Sequence, residues 1–198
     1  MKPMTLPLAL VAALVLSAPA AYAVPITFTA VLSGPNEAPP NASPGTGFAT
    51  VIFDVVAHTM EVHVTFAGLV AGNTASHIHC CTTVADAGTA GVATTTPTFT
   101  GFPTGTTFGT YDHTFDITLA SSYNPAFVAA RTPATIAQAE IDLLNGMLAE
   151  KTYLNIHSST FPGGDIRGFL KEVPEPTTLL LLGSGLAAAG LRSRRRRT

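Results

Sequence analysis

The chain has 198 residues, a formal net charge of −2 and ten basic residues, five of which lie in its last seven positions. Residues 24–172 contain eleven acidic and four basic residues, so this part alone carries a formal net charge of −7. It lacks the clustered Lys and Arg with which proteins bind nucleic acid, which excludes that class of partner. Its length is enough for one domain with a well-buried core.

The first 23 residues have the pattern of a signal peptide. Lys2 supplies a positive start, residues 6–16 form a compact apolar run, and Ala21 and Ala23 provide the small residues of a cleavage site. The apolar run is too short to span a bilayer permanently. We therefore expect signal peptidase to release a mature chain that begins at Val24.

Apolar residues alternate with polar ones along several segments of the body of the chain, as they do in half-buried strands. The segments are residues 26–32, 48–56, 60–66 and 110–119. Stretches rich in Gly, Pro and Thr separate them and read as loops, above all residues 33–47 and 82–109. This pattern predicts an all-β domain.

One segment has the pattern of a helix. Thr135 and Gln138 form a capping box, and apolar residues follow at helical spacing as far as Leu148. Gly146 weakens such a helix by about 1 kcal/mol relative to alanine. We expect this one short helix to cover an end of the β-structure.

Residues 76–81 place three potential metal ligands on one strand face. In an extended chain His77, His79 and Cys81 point to one side, and Ile78 and Cys80 point to the other. Imidazole nitrogens and thiolates are the ligands that zinc and copper prefer. A pair of hydrogen-bonded structural histidines is the alternative.

Residues 153–170 have the pattern of a hairpin whose turn lies at residues 162–164. On its first arm His157 lies on the face opposite Ile156. If Ile78 and Ile156 both enter the core, His157 emerges on the same side of the sheet as His77 and His79. The sequence therefore predicts a zinc or copper site made by three histidines with Cys81 or water, or else a polar cluster without metal.

Cys80 and Cys81 are adjacent, and no other cysteine is present. A signal peptide sends them to an oxidising compartment, where a disulfide is the default. Neighbouring Cα atoms lie about 3.8 Å apart across a trans peptide, which is below the usual disulfide range. A strained vicinal disulfide, an intermolecular bond, metal ligation and a protected thiol all remain open.

Asp165 and Arg167 share a face of the second arm of this hairpin. They either pair with each other or tie down neighbouring loops. We therefore expect both to have a structural role.

Several motifs, taken in order, resemble the CHRD domain across residues 28–170. They are residues 28–34 with Asn36-Glu37 and Pro39-Pro40, the His77-Ile78-His79 triplet, and residues 153–157 with 162–168. The family usually has Glu where this chain has Asp165. The resemblance implies an immunoglobulin-like or Greek-key β-sandwich and no particular activity.

The end of the chain, residues 173–198, resembles a PEP-CTERM sorting signal, which is processed by an exosortase. The sorting motif is Pro174, Glu175 and Pro176; the apolar residues 177–191 and a basic cluster follow it. A helix of fifteen residues is roughly 22 Å long, short of a 30 Å hydrocarbon core, which suits a transient inner-membrane anchor. A permanent anchor is the alternative.

These resemblances imply an exported protein that crosses the inner membrane and reaches the cell surface or the extracellular space. We expect a non-enzymatic module for binding or matrix structure, with extracellular polysaccharide or surface proteins as partners. No nucleophile elbow or phosphate loop is present in the sequence. The rival is a secreted copper or zinc protein, because the His-x-His strand is similar to part of the superoxide dismutase site. That family needs further histidines, and residues 82–109 contain none.

Overall fold

The computed structural model describes residues 25–174 together with Gly183 and Gly185. The predicted signal peptide, Glu175 and Pro176 of the sorting motif, and the basic cluster lie outside the described residues, as does nearly all of the apolar segment. No helix in the described part of the chain is both long and apolar enough to cross a membrane.

The described residues form one sheet of eight strands and two α-helices. The strands are β1 (Ile26–Ser33), β2 (Thr46–Asp54), β3 (Thr59–Ala67), β4 (Asn73–Cys80), β5 (Gly109–Asp116), β6 (Thr152–Ser158), β7 (Ile166–Phe169) and β8 (Lys171–Glu172). The helices are α1 (Pro125–Ala129) and α2 (Ile136–Leu148), and two 3-10 turns lie at Gly34–Asn36 and Ala120–Ser122. The predicted all-β class is confirmed, whereas the immunoglobulin-like or Greek-key label stays a prediction.

All strand pairs are antiparallel, in the order β4-β6-β7-β1-β2-β3-β5, and β8 pairs with β1. The predicted alternation sets which side chains enter the core. On β3, for example, Met60, Val62 and Val64 are buried, whereas the intervening residues are partly or fully exposed. A two-residue period therefore packs one face of the sheet.

Helix α2 confirms the predicted helix and its cap, since the Thr135 side chain accepts a hydrogen bond from the backbone N–H of Gln138. The helix buries Leu143 and Met147 in the core. Helix α1 has only five residues, begins at a proline and is capped by Asn124. The sequence pattern did not predict it, because one turn of helix is too short to show a periodic apolar stripe.

Candidate metal centre

Strands β4 and β6 carry the three histidines that the sequence singles out. Ile78 and Ile156 are fully buried in the core. Because neighbouring residues of a strand point to opposite faces, His77, His79 and His157 project from the other face of the sheet. In the register of the two strands His157 lies opposite Ala75. His77 lies two residues after Ala75 on β4 and therefore on the same face.

The three imidazoles converge on one point. One ring nitrogen from each histidine can be chosen so that all three lie within 4.8 Å of one another. The Nε2 atoms of His77 and His157 are 2.9 Å apart. The ring of His79 lies 4.7 Å from that of His77, centroid to centroid, and 6.0 Å from that of His157.

The Nδ1 atom of each ring faces a backbone carbonyl. The partners are Pro97 for His77 at 3.3 Å, Ala90 for His79 at 2.8 Å and Pro162 for His157 at 3.0 Å. A carbonyl oxygen only accepts hydrogen bonds, so each Nδ1 must carry a proton. In a neutral ring the lone pair then lies on Nε2, the nitrogen left for a metal ion.

Burial keeps these rings neutral. Removal from water lowers the pKa of His77 to about 3 and that of His79 to about 4, and it also lowers the pKa of His157. The neighbouring imidazoles lower the pKa of His77 and of His79 further. At neutral pH the cluster therefore offers three neutral imidazoles with free lone pairs.

The converging lone pairs need an electron acceptor. The Nε2 atoms of His77 and His157 face each other at 2.9 Å. Without a metal ion, two nitrogens at this distance require a proton between them. Within the described part of the chain, the buried Nε2 atom of His79 has no hydrogen-bond partner, and the residue is only 9% exposed. Carbonyl-anchored imidazoles of this kind are typical of metal ligands, whose second nitrogen is fixed by an outer hydrogen bond.

Cys81 does not belong to this group, which corrects the first of the two fourth ligands expected from the sequence, Cys81 or water. Its Sγ is bonded to that of Cys80, so no thiolate is available. The disulfide lies against helix α2, with the Cys81 sulfur 3.8 Å from the carbonyl oxygen of Asp142. Of the four states left open by the sequence, the structure shows the vicinal disulfide.

Arg167 ties two loops to strand β7. Its guanidinium donates to the carbonyl of Asn36 at 2.6 Å and to that of Gly88 at 3.0 Å. The same group lies 4.6 Å from the centroid of the Tyr153 ring. Because the residue is only 3% exposed, these contacts are shielded from water.

Arg167 has Glu37 as its acidic partner, at 3.8 Å between Nε and Oε2, instead of Asp165. Asp165 is fully buried and accepts a hydrogen bond from the hydroxyl of Ser43. Burial raises the pKa of Glu37 to about 7, although the charge of Arg167 opposes the shift. Glu37 lies in one of the sequence motifs, but the sequence does not indicate its charge partner.

Tyr153 and three loop carbonyls complete the surroundings of the histidines, and the sequence motifs do not indicate them. The Tyr153 ring stacks on that of His79, with centroids 4.6 Å apart and planes inclined by 8°. Alternation places Tyr153 on the histidine face, which could have indicated this contact. The carbonyls of residues 90, 97 and 162 belong to loops and carry no side-chain signal.

The comparisons with known proteins agree with this architecture. The family model for the CHRD domain matches residues 28–170, and that for the PEP-CTERM protein-sorting motif matches residues 172–196. No curated protein and no solved structure matches the chain. The sorting motif marks an exported, surface-sorted protein that an exosortase processes. The chain therefore belongs to the CHRD domain family and carries a C-terminal PEP-CTERM sorting motif.

Proposed function

We propose that this exported protein is a non-enzymatic surface module whose CHRD domain binds one zinc or copper ion through the Nε2 atoms of His77, His79 and His157. The observation that carries the proposal is the pair of Nε2 atoms at 2.9 Å beside a third, buried Nε2 without a partner. Three imidazole nitrogens suit both metals.

The alternative is a hydrogen-bonded polar cluster without metal. A hydrogen bond between His77 and His157 needs a proton on one Nε2, and that ring would then be an imidazolium because its Nδ1 is already protonated. Burial opposes this charge and lowers the pKa of His77 to about 3. Even a shared proton leaves the Nε2 of His79 without a partner, so a metal ion accounts for more of the cluster.

The metal site fits a binding or structural role better than a redox role. A superoxide-dismutase-like centre needs further histidines and a bridging ligand, and the metal-binding group within residues 25–174 consists of three histidines. The proposed partners at the surface are extracellular polysaccharide or other surface proteins, because Thr-rich loops on a rigid sheet provide adaptable contacts.

Isothermal titration of zinc and of copper into the chelator-treated protein tests the proposal. We expect one ion per chain, and loss of binding in His79→Ala. His63→Ala is the matched control, since His63 lies on β3 and pairs with Asp112 outside the cluster. Wild type without a binding isotherm, or His79→Ala with unchanged affinity, would refute the metal site. Superoxide dismutation by the copper-loaded protein would favour the redox alternative.

A further inference from the structure

We infer that the bound ion keeps a fourth coordination position open to solvent, and that this position binds small monodentate anions, of which carboxylates are the biological class. The inference rests on the proposed metal site. It adds a second ligand to that site, and thus a means by which a carboxylate-bearing molecule can attach to the protein through the ion.

The protein supplies three ligands and no fourth within the described residues. The metal-binding group there comprises His77, His79 and His157, and the sulfur of Cys81 is held in the disulfide. Structural zinc sites usually have four protein ligands, whereas three protein ligands leave a position for water or another small ligand. The donor set is therefore that of an open site.

Burial indicates the side from which a ligand arrives. His77 and His79 are 7% and 9% exposed, whereas His157 is only partly buried. Tyr153 covers one face of the His79 ring. The ion is thus reached past His157, at the rim of the cluster.

Charge selects an anion for this position. Three neutral imidazoles leave the double charge of a zinc or copper(II) ion uncompensated, since the metal-binding group found in residues 25–174 contains no carboxylate. The guanidinium of Arg167 adds to the positive field, because it lies 4.6 Å from the centroid of the Tyr153 ring, and that ring stacks on the ring of His79. A monodentate anion fits this site, because its one donor atom fills the one open position and its negative charge offsets part of the positive charge there.

Cobalt(II) is a suitable probe, because its visible absorption changes when its ligands change. The full-length protein is loaded with cobalt(II) and titrated first with azide and then with acetate. We expect a saturable change in the cobalt bands with both anions, identical in the His63→Ala control. His77→Ala should show no protein-bound cobalt bands.

The outcomes separate the two proposals. If cobalt binds with the expected dependence on His77 but neither anion alters its bands, the site is closed; the inference is then wrong and the proposed function stands. If azide alters the bands and acetate does not, the carboxylate class is wrong. If cobalt, zinc and copper all fail to bind, both proposals fall.

Discussion

Replacing Arg167 by alanine should destabilise the domain far more than the loss of an exposed charge does. The change removes two charge-assisted hydrogen bonds, to the carbonyls of Asn36 and Gly88, and leaves both loops without that anchor. Hydrogen bonds to charged groups contribute about 1.5–3 kcal/mol each, and such losses are not additive. We expect a loss of about 3 kcal/mol near pH 6, against about 0–1 kcal/mol for an exposed pair.

The loss should grow with pH because of Glu37. The pKa of Glu37 is raised to about 7 in the folded protein, above the ordinary 4.5. Its protonation therefore stabilises the folded state fully below about pH 4.5, and this contribution to stability is lost as the pH rises through 7. Arg167 holds this pKa down, and its removal raises the pKa further. Near pH 8 the variant must therefore bury an uncompensated carboxylate or protonate it, which costs about 1 kcal/mol more than near pH 6.

Urea unfolding followed by circular dichroism, near pH 6 and near pH 8, measures both effects. For a domain of this size 1 kcal/mol corresponds to about 2–4 °C in Tm, so thermal scans should show a shift of at least about 6 °C. In the Glu37→Gln background the extra loss near pH 8 should vanish, since no carboxylate remains. A Tm shift near zero would show that Arg167 is a surface charge, and an equal loss at both pH values would remove Glu37 from the explanation.

Three further predictions concern the disulfide, the histidines and the chain ends. Gly146→Ala should lower the free energy of unfolding by about 1–3 kcal/mol, measured by chemical denaturation, because the new Cβ would lie 2.5 Å from the sulfur of Cys80 and 2.6 Å from that of Cys81. Gly163→Ala is the near-neutral control, since no described atom lies within 4 Å of a Cβ added there. In the metal-free protein the contribution of the histidines to stability should be largest above about pH 6.5 and fall by up to about 1.4 kcal/mol per pH unit and per histidine as the pH falls toward 4, because the unfolded chain then binds more protons at these sites. Protonation of Glu37 in the folded protein offsets part of this loss, so the measured quantity is the difference between wild type and His77→Gln; an equal pH slope in the two would contradict the prediction. The intact mass of the surface form from an exosortase-positive host should correspond to a chain without residues 1–23 and without the tail from near residues 174–176. A form that retains residues 192–197 would favour a permanent anchor.

Strand faces could be predicted from the sequence, because a period of two decides which side of the sheet a residue occupies. The placement of Ile78 on the face opposite His77 and His79, and of Ile156 on the face opposite His157, follows from this rule. The cap of α2 was equally predictable, since Thr135 needs only the backbone of the next turn. Both features depend on residues that are close along the chain.

Neighbours across the sheet could not be predicted in the same way. His77 and His157 are 80 residues apart, and they meet because β4 pairs with β6, an order that alternation does not specify. Glu37 lies in a loop, and only the completed fold brings its carboxylate to Arg167. The Cys80–Cys81 bond could not be predicted either, because the usual Cα separation across a trans peptide argues against a disulfide between neighbouring residues.

In the proposed metal site, burial is what would make the histidine cluster prefer a metal ion to protons. Because desolvation lowers the pKa of His77 to about 3 and of His79 to about 4, an arriving ion displaces no proton from these two rings at neutral or mildly acidic pH. The same desolvation is unfavourable while the Nε2 of His79 has no partner, since a buried acceptor without a hydrogen bond costs about 1–3 kcal/mol. One ion accepts all three lone pairs and removes that cost, whereas one proton can satisfy only two of them. The carbonyls that face Nδ1 therefore do more than orient the rings: they leave the Nε2 atoms of the neutral rings without protons, which is the state that the proposed metal ion requires.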